Sequence, residues 1–283
     1  MMLTRPEIKP TEEGEAILKY LREANGNICV EAYAGSGKTT MLEFMVQALP
    51  KDEPSLYLVF GKQDQLNAEA KLPSRCKCVT MNGMGHRICT SNFGKVSLDT
   101  MKVRNILKQQ MSELKGEDRE TASEEYWDIA AAIGMARHIG YIPEGKFPDA
   151  RRLTDRDGLA ARTESKLSEV GWYLVDNVLL TTIKAAYAGS IDFDDQVYMS
   201  ALFCNTFPRF PNVLVDESQD LSPVNHALLH RLCKESWVAT VGDRWQSIYY
   251  FRGAETGGVD KLKARYNMRE FPLSVSFRCR PGA

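Results

Sequence analysis

The chain has 283 residues, 43% hydrophobic and 26% charged, the composition of a globular protein with one large or two modest domains. Its 36 basic and 37 acidic residues leave a net charge of −1, which excludes a global basic field, so a nucleic-acid site would have to be a local groove. No apolar run approaches the ~20 residues that span a bilayer, and the N-terminal MMLTRPEIKPTEEGE has no apolar signal core; the reading is a soluble, intracellular protein.

The first expected elements are a strand in NICVEAY (Asn27–Tyr33), a glycine loop, and a helix over TTMLEFMVQALP that stops at Pro50. SLYLVFG (Ser55–Gly61) and KCVTM (Lys77–Met81) read as buried strands. From about Lys95 to Tyr187 the pattern is almost all helical. Thr121-Ala-Ser-Glu124 has the form of a capping box ahead of EYWDIAAAIGMARHIG, and a long apolar helix ends at Gly189. Between these helices, YIPEGKFPDARRLTDRDG is loop-like, and Arg151, Arg152, Arg156 and Arg162 form a candidate basic face. PNVLVDES (Pro211–Ser218) and SWVATVGD (Ser236–Asp243) complete the strands, with a helix between them. Continuous apolar strands separated by helices imply a parallel sheet covered on both faces. The expected fold is α/β, a P-loop RecA-like parallel sheet with an inserted helical subdomain. The expected boundaries are 1–94 and 188–272 for the ATP-binding motor domain, 95–187 for the insertion, and 273–283 for the start of a second motor domain.

The seven cysteines, an odd number in a chain of this length, fit a reducing compartment. Cys76, Cys78, His86 and Cys89 show Cys-x-Cys rather than Cys-x-x-Cys spacing, and the cysteines read as small buried thiols rather than zinc ligands.

AYAGSGKTT (Ala32–Thr40) follows a strand and opens a helix, the context a P-loop requires. The backbone of Ala34, Gly35, Ser36 and Gly37 would wrap the β-phosphate, with Thr40 on the opening helix turn, Lys38 reaching the β- and γ-phosphates and Thr39 ligating Mg²⁺. Ala32 stands where the strict motif has glycine. VLVDESQD supplies the acids at the end of another strand: Asp216 to hold Mg²⁺ through water, and Glu217 to polarise the attacking water as general base.

With these blocks in view, the chain resembles superfamily 1 DNA helicases of the UvrD/Rep type, especially their F-box-helicase-like relatives. Seven blocks follow the family order: AYAGSGKTT, YLVFGKQDQLNAEA, VTMNGMGHR, IDFDDQ, VDESQD, VGDRWQSIYYFRGA and LSVSFRC. The resemblance implies an ATP- and Mg²⁺-dependent, monomeric motor that moves on single-stranded DNA or a single/double-strand junction. Its implied place is the cytoplasm, nucleoid-associated or phage-encoded. It implies that Gln219 and Asp220 link the ATP site to the next block, where Gln246 senses the γ-phosphate. Tyr249 and Phe251, accompanied by Arg252, would stack on bases, a grip that tolerates any sequence. Tyr250, between them, would point into packing. Phe60 and Lys62 match a second DNA contact, and Thr80 and Asn82 a third, although the family has Thr-x-His at the latter. Arg278 matches an arginine that reaches the γ-phosphate, and Phe277 a ring that packs on adenine.

Three departures accompany the resemblance. Glu13 takes the place of a glutamine that reads adenine, and a carboxylate can accept from the exocyclic amine but cannot donate to N7. Thr40 stands where close relatives carry an arginine near the base. The chain stops at Ala283, immediately after the Arg278 block, so the expectation is a truncated part of a longer protein. A standalone ATP- and DNA-binding module and a P-loop enzyme of small-molecule metabolism stay open as alternatives.

Overall fold

The computed structural model describes residues 9–24, 26–145, 147–163, 166–246 and 257–277. The amphipathic helix α1 (Glu12–Ala24) leads into β1 (Ile28–Ala32), and a glycine turn opens α2 (Lys38–Ala48). Two further strand–helix units follow, β2 (Ser55–Val59) with α3 (Lys62–Glu69) and β3 (Cys76–Thr80) with α4 (Met81–Phe93). Next come β4 (Ser97–Leu98), α5 (Lys102–Glu113), α6 (Gly116–Glu124), α7 (Tyr126–Ile139), α8 (Arg156–Ala160) and α9 (Glu169–Tyr187). The chain then forms β5 (Ser190–Ile191), α10 (Phe193–Leu202), β6 (Asn212–Val215), a 3₁₀ turn at Ser218–Asp220, and α11 (Pro223–Leu232). β7 (Trp237–Gly242), α12 (Gly258–Tyr266) and β8 (Arg269–Leu273) close the order.

Among the described residues six strands make one parallel sheet in the order β3-β2-β6-β7-β1-β8. Alternate residues of the central strands feed two apolar layers. Leu56, Leu58, Val213 and Val215 join a layer with residues of α4, α10 and α11. Tyr57, Val59 and Leu214 join the other, with residues of α1 and α2. This two-sided burial explains why the strands read as unbroken apolar runs.

β8 is a strand that sequence reading did not anticipate. Its burial alternates weakly, and Pro272 lacks an N–H. The strand lies at the sheet edge, pairing with β1 from Ile28↔Arg269 to Ala32↔Leu273, where a missing donor on the open side is tolerated. Leu273 therefore ends this sheet, in register with Ala32.

Helices α5 to α9 lie between β4 and β5, which pair in parallel. They surround their own apolar cluster, including Leu107, Ile129, Ile133, Leu174 and Val178. The capping box expected at Thr121–Glu124 does not form: these residues are the last turn of α6, and α7 begins after Glu125 with no side-chain cap. The Glu125 carboxylate instead accepts from the backbone N–H and hydroxyl of Ser168, both at 2.9 Å. Ser168 in turn caps α9. The candidate basic face is divided among separate partners. Arg152 pairs with Glu144 and Arg156 with Asp176, while Arg151 donates to Asn205 Oδ1 at 2.9 Å.

A buried ionic knot ties these helices to α10. Asp192 and Asp195 form a reciprocal capping box at its start. Arg137 of α7 donates to both oxygens of Asp192 (2.8 and 2.6 Å) and to Asp194 (2.8 Å). Lys102 of α5 pairs with Asp195 and donates to the carbonyls of Thr182 (3.1 Å) and Ser190 (2.9 Å). Burial opposes the charge on Arg137, but Asp194, Asp192 and Asp195 outweigh it and hold the guanidinium protonated.

Candidate nucleotide and nucleic-acid site

In a parallel sheet the carboxyl ends of the strands form one edge, and ligands gather there. β1 delivers the glycine loop to that edge, β2 delivers Phe60, β6 delivers Asp216 and Glu217, and β7 leads to Gln246. In the loop, Gly35 and Gly37 have φ of 74° and 85°, left-handed conformations that favour glycine. Among the described residues no side chain caps α2, an arrangement in which first-turn N–H groups can meet an anion. The Ser36 hydroxyl in this loop is buried with no hydrogen-bond partner among the described residues.

The acidic turn faces this loop. Lys38 Nζ donates to Glu217 Oε2 at 2.7 Å, and the Gln219 amide donates to the same oxygen at 2.8 Å. Glu217 has φ 48° and ψ 44°, a left-handed conformation that costs a non-glycine residue ~1–2 kcal/mol. The turn lets two consecutive carboxylates serve different partners. Asp216 Oδ2 accepts from the buried Tyr57 phenol at 2.8 Å, and its Oδ1 accepts from the Glu217 N–H at 2.9 Å. Gln219 also reaches the end of β7, where its Oε1 accepts from the Asp243 N–H at 3.0 Å. Gly242 permits that approach, since a Cβ there would stand 2.6 Å from Gln219 Oε1.

Two cavities open on this edge. One, of about 530 Å³, is lined by Thr39, Asp216 and Glu217. The other, of about 540 Å³, is lined by Asn82, Arg137, Phe193, Glu217 and Gln246. Phe60, Asp64 and Glu217 belong to both linings. The expected metal ligands Thr39 and Asp216 thus share one cavity, while Phe60, Asn82 and Gln246 share the other. Lys62 is exposed on α3 and donates to Gln65 at 3.1 Å. The Thr80 hydroxyl caps α4 through the Gly83 N–H at 3.0 Å, and the Asn82 amide donates to the Phe193 carbonyl at 2.6 Å. Tyr249, Tyr250, Phe251, Arg252 and Arg278 lie outside the described residues.

Beyond β8 the chain turns along the glycine loop. The Tyr33 N–H donates to the Leu273 carbonyl (3.1 Å), the Ser276 hydroxyl to the Ala34 carbonyl (2.9 Å), and the Phe277 N–H to the Gly35 carbonyl (2.9 Å). Glu13 binds Ser274 in this strap. Among the cysteines, Cys76, Cys78 and Cys89 are all buried, and burial raises the Cys76 thiol to about 11.

Sequence reading missed Tyr57, whose phenol holds Asp216, and Ser274. Tyr57 was visible only as one more apolar residue in a buried strand. A polar-tipped ring at such a position is the signal available, because a buried hydroxyl needs a partner.

Burial, then the charge of Glu217, pushes Asp216 up to about 6, against the Tyr57 hydrogen bond that pulls it down. A carboxyl that binds its proton more tightly in the folded chain stabilises the fold at low pH. That contribution is lost as pH rises from the unfolded value near 3.8 through 6. At pH 7.5 the ionised Asp216 therefore costs stability. Asp216→Asn is expected to stabilise the nucleotide-free chain by about 1–3 kcal/mol at pH 7.5 and by little at pH 4.5. Urea unfolding at the two pH values checks this, and an equal effect at both would refute it.

Residues 149–267 match the UvrD/REP helicase N-terminal domain, a stretch that includes Asp216, Glu217 and Gln246. The chain is 28% identical to F-box DNA helicase protein 1 of Schizosaccharomyces pombe, over 95% of this chain and 31% of that protein. It is 26% identical to DNA helicase IV of Escherichia coli, over 81% of this chain and 39% of that protein. It thus spans about a third of the length of these curated relatives. A solved Pif1 helicase from Bacteroides, in complex with ADP-AlF3 and ssDNA, overlaps 98% of this chain and 44% of its own at 14% identity and a TM-score of 0.40. No helix among the described residues is long and apolar enough to cross a membrane. With its glycine loop and acidic turn on one edge of a parallel α/β sheet, the chain is similar over residues 149–267 to the UvrD/REP helicase N-terminal domain.

Proposed function

We propose that this chain is the ATP-hydrolysing motor domain of an ATP-dependent, single-stranded-DNA translocase and helicase. The observation that carries the reading is the shared wall of the two cavities, built from Phe60, Asp64 and Glu217. A group that senses phosphate on one side can move a group that grips a base on the other.

ATP is the substrate of the first cavity. Lys38 and the loop N–H groups hold its phosphates, and Glu217 takes the proton of the attacking water. Thr39 and Asp216 would hold Mg²⁺. A hydroxyl and a carboxylate with room for water suit an ion that keeps several of its waters, and such an ion would supply neutralisation of phosphate charge. Gln246 follows Asp243, whose N–H is bonded to Gln219, which also holds Glu217. A change at the γ-phosphate therefore has a short covalent and hydrogen-bonded route to the Gln246 block. On the other side, Phe60, Lys62, Thr80 and Asn82 are assigned to single-stranded DNA. The resemblance adds Tyr249, Phe251 and Arg252 to that track and Arg278 and Phe277 to the nucleotide. Duplex unwinding belongs to the whole protein in this reading.

Fluorescence anisotropy of labelled oligothymidylate, measured with no nucleotide, with ADP and with a non-hydrolysable ATP analogue, tests the proposal. The oligonucleotide is expected to bind, with an affinity that differs between the nucleotide states and falls as salt rises. Mg²⁺-dependent nucleotide binding with no oligonucleotide binding would instead mark a P-loop enzyme of small-molecule metabolism.

A further inference from the structure

Glu13 stands in the first turn of α1, and both of its carboxylate oxygens engage one residue. Oε2 accepts from the Ser274 backbone N–H at 2.7 Å, and Oε1 accepts from the Ser274 hydroxyl at 2.6 Å. Two short charge-assisted hydrogen bonds to one residue fix both its position and its orientation. From Ser274 the strap continues to Ser276 and Phe277, which bond to the Ala34 and Gly35 carbonyls. The Phe277 ring is 66% exposed, and one edge lies 4.0 Å from where a Cβ would stand on Gly37. An aromatic face is therefore tethered beside the phosphate loop, anchored from behind by a carboxylate.

We propose that Glu13 is a positioning residue that acts on a bound nucleotide through Phe277, and that it reads no base edge. The inference rests on the nucleotide reading above. An ionised carboxylate has no proton to donate to a ring nitrogen, and here it already receives two donors. Stacking on Phe277 is available to every base, because every base has a π-face. The contribution of Glu13 therefore falls equally on nucleotides with different bases and leaves the phosphate grip untouched.

Displacement of a fluorescent ADP analogue in Mg²⁺ buffer, by ATP, GTP and inorganic tripolyphosphate, tests this in the wild-type chain and in Glu13→Ala. Glu13→Ala is expected to weaken ATP and GTP about tenfold each, the size of one lost stacking platform. The ATP/GTP ratio is expected to stay within about twofold of wild type, with tripolyphosphate unchanged, since neither reports a lost base-edge contact. Loss of ATP affinity with GTP unaffected would overturn the proposal in favour of base reading. Parallel loss of all three ligands would reduce Glu13 to a support of the phosphate loop, and no change in any would leave it no role at the site. Should circular dichroism show Glu13→Ala unfolded, Ser274→Ala, which removes one of the two hydrogen bonds, is expected to give the same pattern at about threefold. A wild-type chain that binds none of the ligands would sink the nucleotide reading itself, along with this inference. Wild-type binding that depends on Lys38 but is indifferent to Glu13 and Ser274 would sink this inference alone.

Discussion

Replacing Lys38 with alanine is expected to lower ATP turnover by at least about 100-fold and to weaken Mg²⁺–nucleotide binding about tenfold or more. In the nucleotide-free chain Lys38 sits 2.7 Å from Glu217 and is largely shielded from water. Asp216 and Asp220 are close enough to Glu217 that its charge helps raise each of them to about 6, after burial itself. Lys38 is thus a cation set among three carboxylates, and a triphosphate would add several more negative charges. Without Lys38 the three carboxylates are expected to repel a triphosphate. The contrasting variant is Glu217→Gln, which can still accept from Lys38 but cannot take a proton from water. It is expected to bind nucleotide normally and to lose turnover by about 100-fold or more. A coupled ATPase assay with a fluorescent-nucleotide titration separates the two variants. Normal turnover in Lys38→Ala would eliminate the ATP assignment, and normal turnover in Glu217→Gln would move the general base elsewhere.

The part of this site that sequence reading reached is the part written in short contiguous stretches. A glycine loop after one strand and an acid pair after another each announce a strand end, and a parallel sheet brings strand ends to one edge. What it did not reach depends on partners distant in the chain. Arg137 sits in an apolar helical run, and its carboxylates arrive 55 residues later with Asp192. Ser274 lies in the LSVSFRC block, but nothing in that block names its partner, and its role exists only because β8 returns beside β1 and aims the chain at Glu13. β8 itself was hidden because an edge strand with a proline and a mostly exposed burial pattern lacks the apolar signature of its neighbours. The Thr121–Glu124 spacing misled for a related reason, and the neighbouring Glu125 shows it. A local spacing suggested a helix cap next door, but the carboxylate was recruited by Ser168, 43 positions away.

Arg137→Met is expected to destabilise the chain by about 3–5 kcal/mol, the cost of leaving buried carboxylates without their cation. The guanidinium is only 6% exposed and carries the bidentate bond to Asp192 and the bond to Asp194. After its removal Asp192 loses its bidentate partner, and Lys102 is already engaged with Asp195 and two carbonyls. Arg137→Lys keeps the charge but loses the planar fork, and should fall between wild type and Arg137→Met. The consequence extends past stability, because Arg137, His138, Phe193 and Asp194 line the same cavity as Phe60, Asn82 and Gln246. The ionic knot holds that wall in place, and the Asn82 amide is bonded to the Phe193 carbonyl within it. Under conditions where Arg137→Lys is still folded, its affinity for oligothymidylate is expected to fall more than its affinity for nucleotide, since no residue of the knot lines the cavity of Thr39 and Asp216. Urea unfolding read by circular dichroism, followed by paired anisotropy titrations, checks both steps. A loss below about 1 kcal/mol in Arg137→Met, the range of an exposed pair, would show that the knot does not hold the helices to α10. Equal weakening of both ligands in Arg137→Lys would show that it supports the sheet as a whole rather than the cavity wall.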